Sequence, residues 1–468
     1  MPTKRKVPTN DVVITATVKK VRPNFELSMP NRPSIGGYAL VCGAGEMGQL
    51  GLGVDVCERK RPAMLEKVPN VVDICAGGMH NLILTADGAV YSFGCNDEGA
   101  LGRPTADEDD AFEPDLVKLP TKALMISAGD SHSACLLDDG RVFAWGSFRD
   151  SHGSMGLTVD GIQKLPVDVM GLTNCTEIAS GSDHLVVLTS RGKVYTFGCA
   201  EQGQLGRVPN RSVSGEGRQG KKILLTPGEI IMKRGKPVEK IWASSYCTYL
   251  RESNTNSIWV FGLNNYVQLI YNNVEERVLY PVRTNLENAK DIAGGQHHTL
   301  VLKNDGKCYA VGRGDYGRLG IGKNVSDQRE LQAIDKLQNE KIQSISCGEC
   351  FSFAVTDEGK LYSWGMGTNL SLGTGNEDDV WEPELIISKN TENKRILKAS
   401  GGGQHSIFLV TDNNNSIKGK TTATATTATT EKEKITNKIV NGKNDDKKEV
   451  NNVATEIDAT AKRGRKKK

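Results

Sequence analysis

Short apolar runs separated by glycine-rich turns recur along residues 34–411, and this pattern predicts many short β-strands. One unit contains Ala76-Gly77-Gly78-Met79-His80, two apolar runs, Leu82-Ile83-Leu84 and Val90-Tyr91-Ser92-Phe93-Gly94, and the ending Gly99-Ala100-Leu101-Gly102. Asp87-Gly88 lies between the two runs, where an Asp-Gly dipeptide is a strong signal for a β-hairpin. Each unit is therefore predicted to contain a hairpin; the equivalent dipeptides are Asp139-Gly140, Arg191-Gly192, Asp305-Gly306 and Glu358-Gly359.

The unit has a histidine landmark that recurs at intervals of 50 to 63 residues. The seven landmark positions read from the sequence are His80, His132, His184, Cys247, His297, Cys350 and His405. Catalysis does not need a histidine in so many units, so we expect these side chains to be structural and to hydrogen-bond within their own unit. The recurrent glycines are expected to adopt positive φ angles or to allow close backbone approach.

The two ends of the repeat region complement each other. A hairpin with one apolar face is unstable alone, so the units must stack along a line or around an axis. The last unit stops after Ile407–Val410, and its missing half matches Tyr38–Gly43 and Gly48–Gly51 near the N-terminus. The sequence therefore predicts an all-β, seven-bladed β-propeller closed by pairing of its N- and C-terminal segments, which protects the sheet edges.

Composition is consistent with this fold class. Glycine accounts for 51 of 468 residues, and 25% of the residues are charged. No run approaches 18 consecutive apolar residues and no apolar signal region follows the N-terminus, so we expect a soluble, intracellular protein without a membrane partner. The 11 cysteines have no framework spacing, which indicates reduced thiols.

Charge divides the chain into three parts. Residues 1–32 carry seven basic and two acidic residues, residues 413–468 carry fourteen and seven, and the body between them has a net charge of −9. We predict a disordered basic tail over 1–33, a propeller over 34–411, and a disordered Thr/Ala- and Lys-rich tail over 412–468. Basic tails of this kind attract polyanions and are typical of nuclear proteins.

Two departures from the repeat are candidate functional loops, because function in such folds lies in the loops. Gly146 and Gly153 are seven residues apart, whereas the equivalent glycines of four other units are five residues apart. A second insertion lies between Gly206 and Trp242, where residues 211–222 are glycine-rich and basic. Either loop could also be a neutral surface insertion.

Several motifs together resemble the family of regulators of chromosome condensation, the exchange factors for the small GTPase Ran, and insect members in particular. They are Ala128-Gly129-Asp130-Ser131-His132, Trp145-Gly146-Ser147-Phe148-Arg149-Asp150, Gly203-Gln204-Leu205-Gly206-Arg207-Val208-Pro209 and Gly294-Gly295-Gln296-His297-His298. The resemblance covers about residues 34–411 and supports the propeller prediction.

The resemblance implies a catalyst of nucleotide exchange that uses no covalent chemistry, metal or cofactor. One face of the propeller would bind Ran, and a wedge would press against the nucleotide site. The wedge residues are Ser147, Phe148, Arg149, Asp150, Ser151, His152 and Gly153. The positions that match the family's GTPase interaction or turnover residues are Asp130, Asp183, Arg207, His297 and His405.

The resemblance also implies a nuclear, chromatin-bound protein whose opposite face and tails engage the nucleosome. Arg218 and Arg211 are expected to contact the histone acidic patch, because a guanidinium can hold carboxylates bidentately. Contacts to the DNA backbone, independent of sequence, are expected from Lys233, Arg234, Lys236, Lys4, Arg5 and Lys6. The basic tails are further expected to bind importin, and the protein is expected to be a monomer.

Two other functions remain open at this point. A propeller scaffold on chromatin would use the same repeat without exchange activity, and a propeller enzyme would use a metal or cofactor in its central channel. The motifs do not favour the enzyme. Cys347-Gly348-Glu349-Cys350 lacks partners at zinc spacing, and Gly312–Gly317 matches a dinucleotide motif without a following helix.

Overall fold

Seven four-stranded antiparallel sheets form the described part of the chain, in a computed structural model of a β-propeller. The structure describes residues 25–34, 36–209, 220–232, 235–273, 275–323 and 325–413. We number the sheets as blades 1 to 7 in chain order. The first two strands of the chain pair with the last two and so belong to blade 7. Within each blade the first strand lies innermost, where it packs against the first strands of its neighbours.

The first strands along the chain belong to blades 7, 1, 2 and 3. Blade 7 begins with β1 (Tyr38–Ala44) and β2 (Glu58–Leu65), and blade 1 contains β3 (Val71–Ala76), β4 (His80–Thr85), β5 (Val90–Gly94) and β6 (Asp115–Val117). Blade 2 contains β7 (Ala123–Ala128), β8 (His132–Leu137), β9 (Val142–Gly146), the extra strands β10 (Phe148–Asp150) and β11 (Gly153–Gly156), and β12 (Gln163–Asp168). Blade 3 contains β13 (Cys175–Ser180), β14 (His184–Thr189), β15 (Val194–Gly198), the helix α1 (Lys221–Leu225) and β16 (Gly228–Glu229).

The remaining blades have the same plan. Blade 4 contains β17 (Val238–Ser244), β18 (Cys247–Glu252), β19 (Ile258–Leu263) and β20 (Arg277–Arg283), and blade 5 contains β21 (Ala289–Gly294), β22 (His298–Lys303), β23 (Cys308–Gly312) and β24 (Gln328–Ala333). Blade 6 contains β25 (Ile342–Cys347), β26 (Phe351–Thr356), β27 (Leu361–Gly365) and β28 (Val380–Leu385), and β29 (Lys394–Gly401) and β30 (His405–Asp412) complete blade 7. Short 3-10 turns occupy Glu108–Phe112, Asp315–Gly317, Asp335–Leu337 and Thr368–Leu370. Within these described ranges, no helix has the length and apolar character needed to cross a membrane.

The ring closes as the sequence predicts. Blade 7 has the order β2-β1-β30-β29, and β1 pairs with β30 from Tyr38 opposite Val410 to Gly43 opposite His405. Its inner strand contacts blade 1, where Lys398 Nζ lies 2.6 Å from Asp73 Oδ1. The first and last strands of the propeller therefore share one sheet.

The predicted hairpin turns are also confirmed. The turn between β4 and β5 is typical: Gly88 has φ +89° and its N–H donates to Thr85 O at 2.9 Å. A side chain at that φ would be strained, which explains the glycine in this and the equivalent turns.

The landmark histidine was predicted one residue too early in two blades. In every blade the first residue of the second strand pairs with the last glycine of the third, as His80 does with Gly94. By this register the landmark of blade 5 is His298, opposite Gly312, and that of blade 6 is Phe351, opposite Gly365.

The expectation that these histidines bond within their own blade was wrong. His80 Nε2 lies 2.8 Å from Ser133 Oγ of the next blade, and His298 Nε2 lies 2.9 Å from Ser352 Oγ. Burial lowers the pKa of His80 to about 4, so the ring is neutral and acts as a connector between blades. His80, His184 and His298 therefore each link one blade to the next.

The chain approaches the propeller through an N-terminal strap, residues 25–34, of which residues 25–33 fall in the predicted tail. Leu27 N–H donates to Ser190 O at 2.7 Å, and Arg32 donates to Ala86 O at 3.0 Å and to Ala123 O at 2.6 Å. Leu27 also packs against the apolar core. These contacts place the strap on the propeller, so the predicted tail does not extend to residue 33; residues 1–24 and 414–468 lie outside the described residues.

Candidate functional site

The propeller has two faces with different loops. We call upper face the side formed by the loops between first and second strands; these loops are 77–79, 129–131, 181–183, 245–246, 295–297, 348–350 and 402–404. Main-chain bonds link neighbouring loops, such as Asp130 N–H to Ser182 O at 2.7 Å and Gly403 N–H to Gly78 O at 2.9 Å. The lower face carries the hairpin turns and the strap, because each strand reverses the direction of the one before it.

The seven-residue departure forms a projecting hairpin, residues 147–156, on blade 2. Strands β10 and β11 pair with Arg149 opposite Ser154 and Asp150 opposite Gly153. Phe148 anchors the base: it is fully buried, and its ring centroid lies 4.6 Å from that of His132 and 5.8 Å from that of Phe197. The tip residues Ser151 and His152 are exposed. The predicted wedge residues are thus brought together as one element with a rigid base.

Three acidic side chains from neighbouring blades contact the outer part of this hairpin. Asp183 Oδ1 accepts the Arg149 N–H at 2.8 Å. Glu201 accepts the Ser151 N–H at 3.1 Å and its hydroxyl at 2.5 Å. Glu98, on the other side, accepts the Ser154 hydroxyl at 2.8 Å and lies 3.5 Å from Arg149 Nη1.

Acidic groups also converge at the centre of the upper face. A polar cavity on the axis is lined by the upper loops and by Asp130 and Glu349. Burial raises the pKa of Asp130, and burial together with the charge of Asp130 raises that of Glu349. Burial raises the pKa of Asp183 to about 7, with the Arg149 N–H opposing and Asp130 adding to the shift. These carboxyls are poised to accept a cationic group, which would favour their ionised forms.

His297 belongs to an aromatic cluster on the same face. Its ring centroid lies 5.3 Å from that of Tyr266 and 6.2 Å from that of Tyr246, and Arg313 lies over the Tyr266 ring at 5.5 Å. Burial, and then the charges of Arg318 and Arg313, lowers the pKa of His297. A half-buried neutral imidazole can pack and hydrogen-bond with a partner, but it does not carry a positive charge at neutral pH.

Two other predicted GTPase-binding residues, His405 and Arg207, expose little of their side chains. His405 is fully buried, and burial lowers its pKa to about 3. The Arg207 guanidinium donates to the main-chain oxygens of Thr196, Ile223 and Thr226 at 2.9 to 3.1 Å. Arg207 therefore joins β15 to the helix segment, as Arg103 does for its own blade with Ser92, Asp110 and Glu113.

The described residues contain one group whose spacing could suit a metal ion. Ligand atoms of Asp150, His152 and Glu201 lie within 4.8 Å of one another at the hairpin tip. Their oxygens already accept bonds, since Asp150 Oδ1 accepts the His152 N–H at 2.8 Å and Glu201 accepts both bonds from Ser151. The geometry of the hairpin accounts for this group without a metal.

On the lower face, Lys236 is the one predicted phosphate-contact residue that lies within the described ranges. Its ammonium pairs with the buried Glu252, whose carboxylate also accepts Thr255 Oγ1 at 2.8 Å and Trp259 Nε1 at 3.0 Å. The other predicted nucleosome contacts lie outside the described residues; they are Lys4, Arg5, Lys6, Arg211, Arg218, Lys233 and Arg234.

Sequence reasoning did not find Glu98, Glu201 or Glu349. A signal was present for Glu349, which precedes Phe351 by two residues as Asp130 precedes His132. Glu98 also departs from the repeat, because the equivalent position is Met47 in blade 7 and Gln202 in blade 3. Neither signal says that the carboxylates meet, since this depends on contacts between blades.

The model of the RCC1-like domain family matches residues 38–408, the whole of the propeller apart from its last strand residues. The chain belongs to this family. It is 59% identical over 393 residues to the regulator of chromosome condensation of Drosophila melanogaster, covering 84% of this chain and 72% of the relative. This confirms the predicted family and the likeness to an insect member.

One yeast sequence and one yeast crystal structure extend the comparison. The guanine nucleotide exchange factor SRM1 of Saccharomyces cerevisiae is 31% identical over 422 residues, which cover 78% of this chain and 85% of that protein. The crystal structure of Prp20p from the same organism, described with its binding to Gsp1p and histones, has a TM-score of 0.75 at 29% identity. It covers 81% of this chain and 93% of Prp20p. The similarity thus spans the propeller of each protein.

Proposed function

We propose that this protein is the guanine-nucleotide exchange factor for Ran and acts while bound to chromatin. The observation that carries the proposal is the hairpin 147–156, which breaks the sevenfold repeat and projects beside the acidic centre of the upper face. The comparisons support this reading, since SRM1 is named a guanine nucleotide exchange factor and the Prp20p structure is described with its binding to Gsp1p and histones.

Exchange of this kind needs no covalent chemistry. A factor that binds nucleotide-free Ran more tightly than loaded Ran weakens nucleotide binding by the same factor, because the two equilibria are linked. The hairpin tip would occupy space that the loaded GTPase needs for its nucleotide, and its buried base would keep it rigid during the encounter. Release is then accelerated for GDP and GTP alike, and the nucleotide pool sets the direction.

The predicted GTPase-binding residues divide into two groups. Asp130, Asp183 and His297 are in the upper loops, where their side chains can meet a partner; the two carboxyls would accept a cationic group of Ran. Arg207 is hydrogen-bonded within blade 3 and His405 is fully buried in blade 7, so we assign them to positioning of the loops. The net charge of −9 over residues 33–412 would also attract a basic partner to the propeller.

Chromatin would be bound by the opposite side of the molecule. The strap brings residue 25 to the lower face beside the turn at Gly192, so the basic residues Lys4, Arg5 and Lys6 precede a segment attached on that side. Lys236 precedes the inner strand of blade 4 at the same face, and Lys233 and Arg234 are its near neighbours in sequence. We infer DNA-phosphate contacts there, and histone acidic-patch contacts from Arg218 and Arg211.

This arrangement would locate the protein in the nucleus as a monomer on nucleosomes, so that Ran-GTP is made at chromatin for transport, spindle assembly and mitosis. The basic tails would also be the importin-binding segments. A propeller scaffold on chromatin without exchange activity is the second candidate, because the repeat alone does not require a hairpin that acts on a GTPase.

One replacement separates the two candidates. Residues 149–153 can be exchanged for three residues that end in glycine, which gives the five-residue glycine spacing of the other blades and leaves the buried Phe148 base in place. An exchange factor would lose acceleration of fluorescent GDP release from Ran, whereas a scaffold would keep its binding and have no acceleration to lose. The matched control exchanges the equivalent loop 44–47 of blade 7 for the loop of another blade.

A further inference from the structure

The outer part of the hairpin is held by acids whose presence the proposed exchange function does not require. We propose that Glu201 and Glu98 are positioning residues that clamp the hairpin between blades 1 and 3, so that its tip is in place when Ran binds. This role rests on the proposed exchange function, but it concerns how the hairpin is held rather than which partner it meets.

Glu201 holds the tip from the side of blade 3. Its two carboxylate oxygens accept the Ser151 N–H at 3.1 Å and the Ser151 hydroxyl at 2.5 Å. Its own main chain is fixed in turn, because Arg277 Nη1 of blade 4 donates to Glu201 O at 3.0 Å. Charge-assisted bonds to both donors of one residue restrict that residue far more than a single contact would.

Glu98 holds the returning strand from the side of blade 1. It accepts the Ser154 hydroxyl at 2.8 Å and lies 3.5 Å from Arg149 Nη1. Its side chain is only 19% exposed, so water screens these contacts less than it screens an ordinary surface ion pair. Glu98 of blade 1 therefore holds the strands of the hairpin, and Glu201 of blade 3 holds its tip.

The clamp acts on a segment that has no apolar anchor of its own. Phe148 buries the base, whereas Ser151 and His152 at the tip are exposed and Gly153 has open space around it. Without Glu201, the tip keeps its strand pairing, the His152 N–H bond to Asp150 and the bond between Ser151 Oγ and His152 Nδ1, all of them within the hairpin itself. A mobile tip would have to become ordered in the complex with Ran. The conformational entropy lost in this ordering would slow nucleotide release, which is the step that needs the tip in place.

The repeat itself does not require an acid that bonds a hairpin. Glu201 is the third residue after Gly198, and the equivalent positions are Glu46, Asp97 and Asp315 in three other blades. Asp315 pairs with Arg313, and Glu46 is exposed. Glu46 thus offers a matched control on an equivalent loop.

The test measures release of fluorescent GDP from Ran over a range of Ran concentrations. For Glu201→Ala we expect kcat to fall about tenfold, because the substitution removes two charge-assisted hydrogen bonds. KM should change less than about twofold. Glu201→Gln should lose less, since its amide oxygen still accepts one of the two bonds, and Glu46→Ala should match the wild type. Ser154→Ala, an exposed substitution that removes the bonds to Glu98 and to Ser147 Oγ, should lower kcat about threefold.

A second readout follows the hairpin directly. Hydrogen–deuterium exchange of residues 149–154 should speed up in Glu201→Ala and not in Glu46→Ala, while the melting temperature stays within about 2 °C of the wild type for both. Unchanged protection of these amides, or an unchanged kcat in an active protein, would overturn the clamp alone. A raised KM at constant kcat would make Glu201 a contact residue instead. A wild-type protein that does not accelerate release would refute the exchange function and the positioning role together.

Discussion

The main-chain N–H of Arg149 donates to Asp183 Oδ1 at 2.8 Å and so joins the hairpin of blade 2 to the upper loop of blade 3. Its acceptor, Asp183, is one of the residues that the family resemblance predicts to bind the GTPase. Asp183 therefore has two roles in our proposal: it fixes the hairpin strand, and it presents negative charge beside Asp130.

Asp183 should make the stability of the protein depend on pH. Its pKa is raised to about 7 in the folded protein, mainly by burial, from a usual value near 3.8. The folded state then holds a proton that the unfolded state releases, so the free energy of unfolding falls as pH rises from about 4 to 7. Asp183→Asn keeps an oxygen that can accept the Arg149 N–H and removes this titration.

We expect Asp183→Asn to be more stable than the wild type at pH 8 by about 1–3 kcal/mol, and closely similar to it at pH 4. Urea unfolding at both pH values measures the difference. Asp130 also has a raised pKa, so Asp183→Asn in an Asp130→Asn background should show a smaller gain. An equal difference at the two pH values would contradict the assignment.

Removal of the Asp183 side chain should impair exchange. Asp183→Ala loses the acceptor for the Arg149 N–H and one of the upper-face charges, so we expect kcat/KM with Ran to fall at least about tenfold. Asp305→Ala, in a turn of the lower face, is the control and should retain the wild-type value. Initial rates of fluorescent GDP release at low Ran concentration give this ratio, and wild-type rates for Asp183→Ala would remove Asp183 from the site.

The repeat made much of the fold predictable. Glycine turns and the complementary halves near Tyr38 and Val410 were enough for the blade number and the ring closure. The landmark position was predicted one residue too early where His297 and His298 are adjacent and where Phe351 takes the place of the histidine. The local sequence does not show which of two neighbouring residues points inward.

The hairpin could be predicted from a change in glycine spacing, but the contacts that hold it to the neighbouring blades could not. Glu98 and Glu201 are 51 and 50 residues away in sequence from the hairpin residues they contact. Such contacts depend on how neighbouring blades are juxtaposed, and a local motif carries no information on that. Similarly, the burial of His405 follows from the position of β30 in the closing blade rather than from the residue type.

The strap on the lower face should contribute to stability without affecting exchange. Arg32→Ala removes two bonds to main-chain oxygens, Ala86 O and Ala123 O, and we expect the free energy of unfolding to fall by about 1–2 kcal/mol. Urea unfolding measures this loss, and GDP release from free Ran should be unchanged. Slower release in Arg32→Ala would mean that the two faces are coupled.

Nucleosome binding should depend on Arg218, which is outside the described residues. We expect Arg218→Ala to weaken binding to nucleosomes about tenfold or more, because loss of an arginine anchor from a carboxylate patch is costly. Arg329→Ala, an exposed arginine on β24, serves as the control and should bind as the wild type does. Binding is measured by gel shift at fixed salt, alongside exchange on free Ran; equal losses in both assays would argue against separate faces.

The most direct measurement of the central claim is the release rate of a fluorescent guanine nucleotide from Ran, with the nucleotide loaded either as GDP or as GTP and an excess of unlabelled competitor present. Our account predicts that catalytic amounts of the protein accelerate release of both nucleotides by about a hundredfold or more, and that replacement of residues 149–153 abolishes the acceleration. Release at the intrinsic rate in the presence of the intact protein would contradict it.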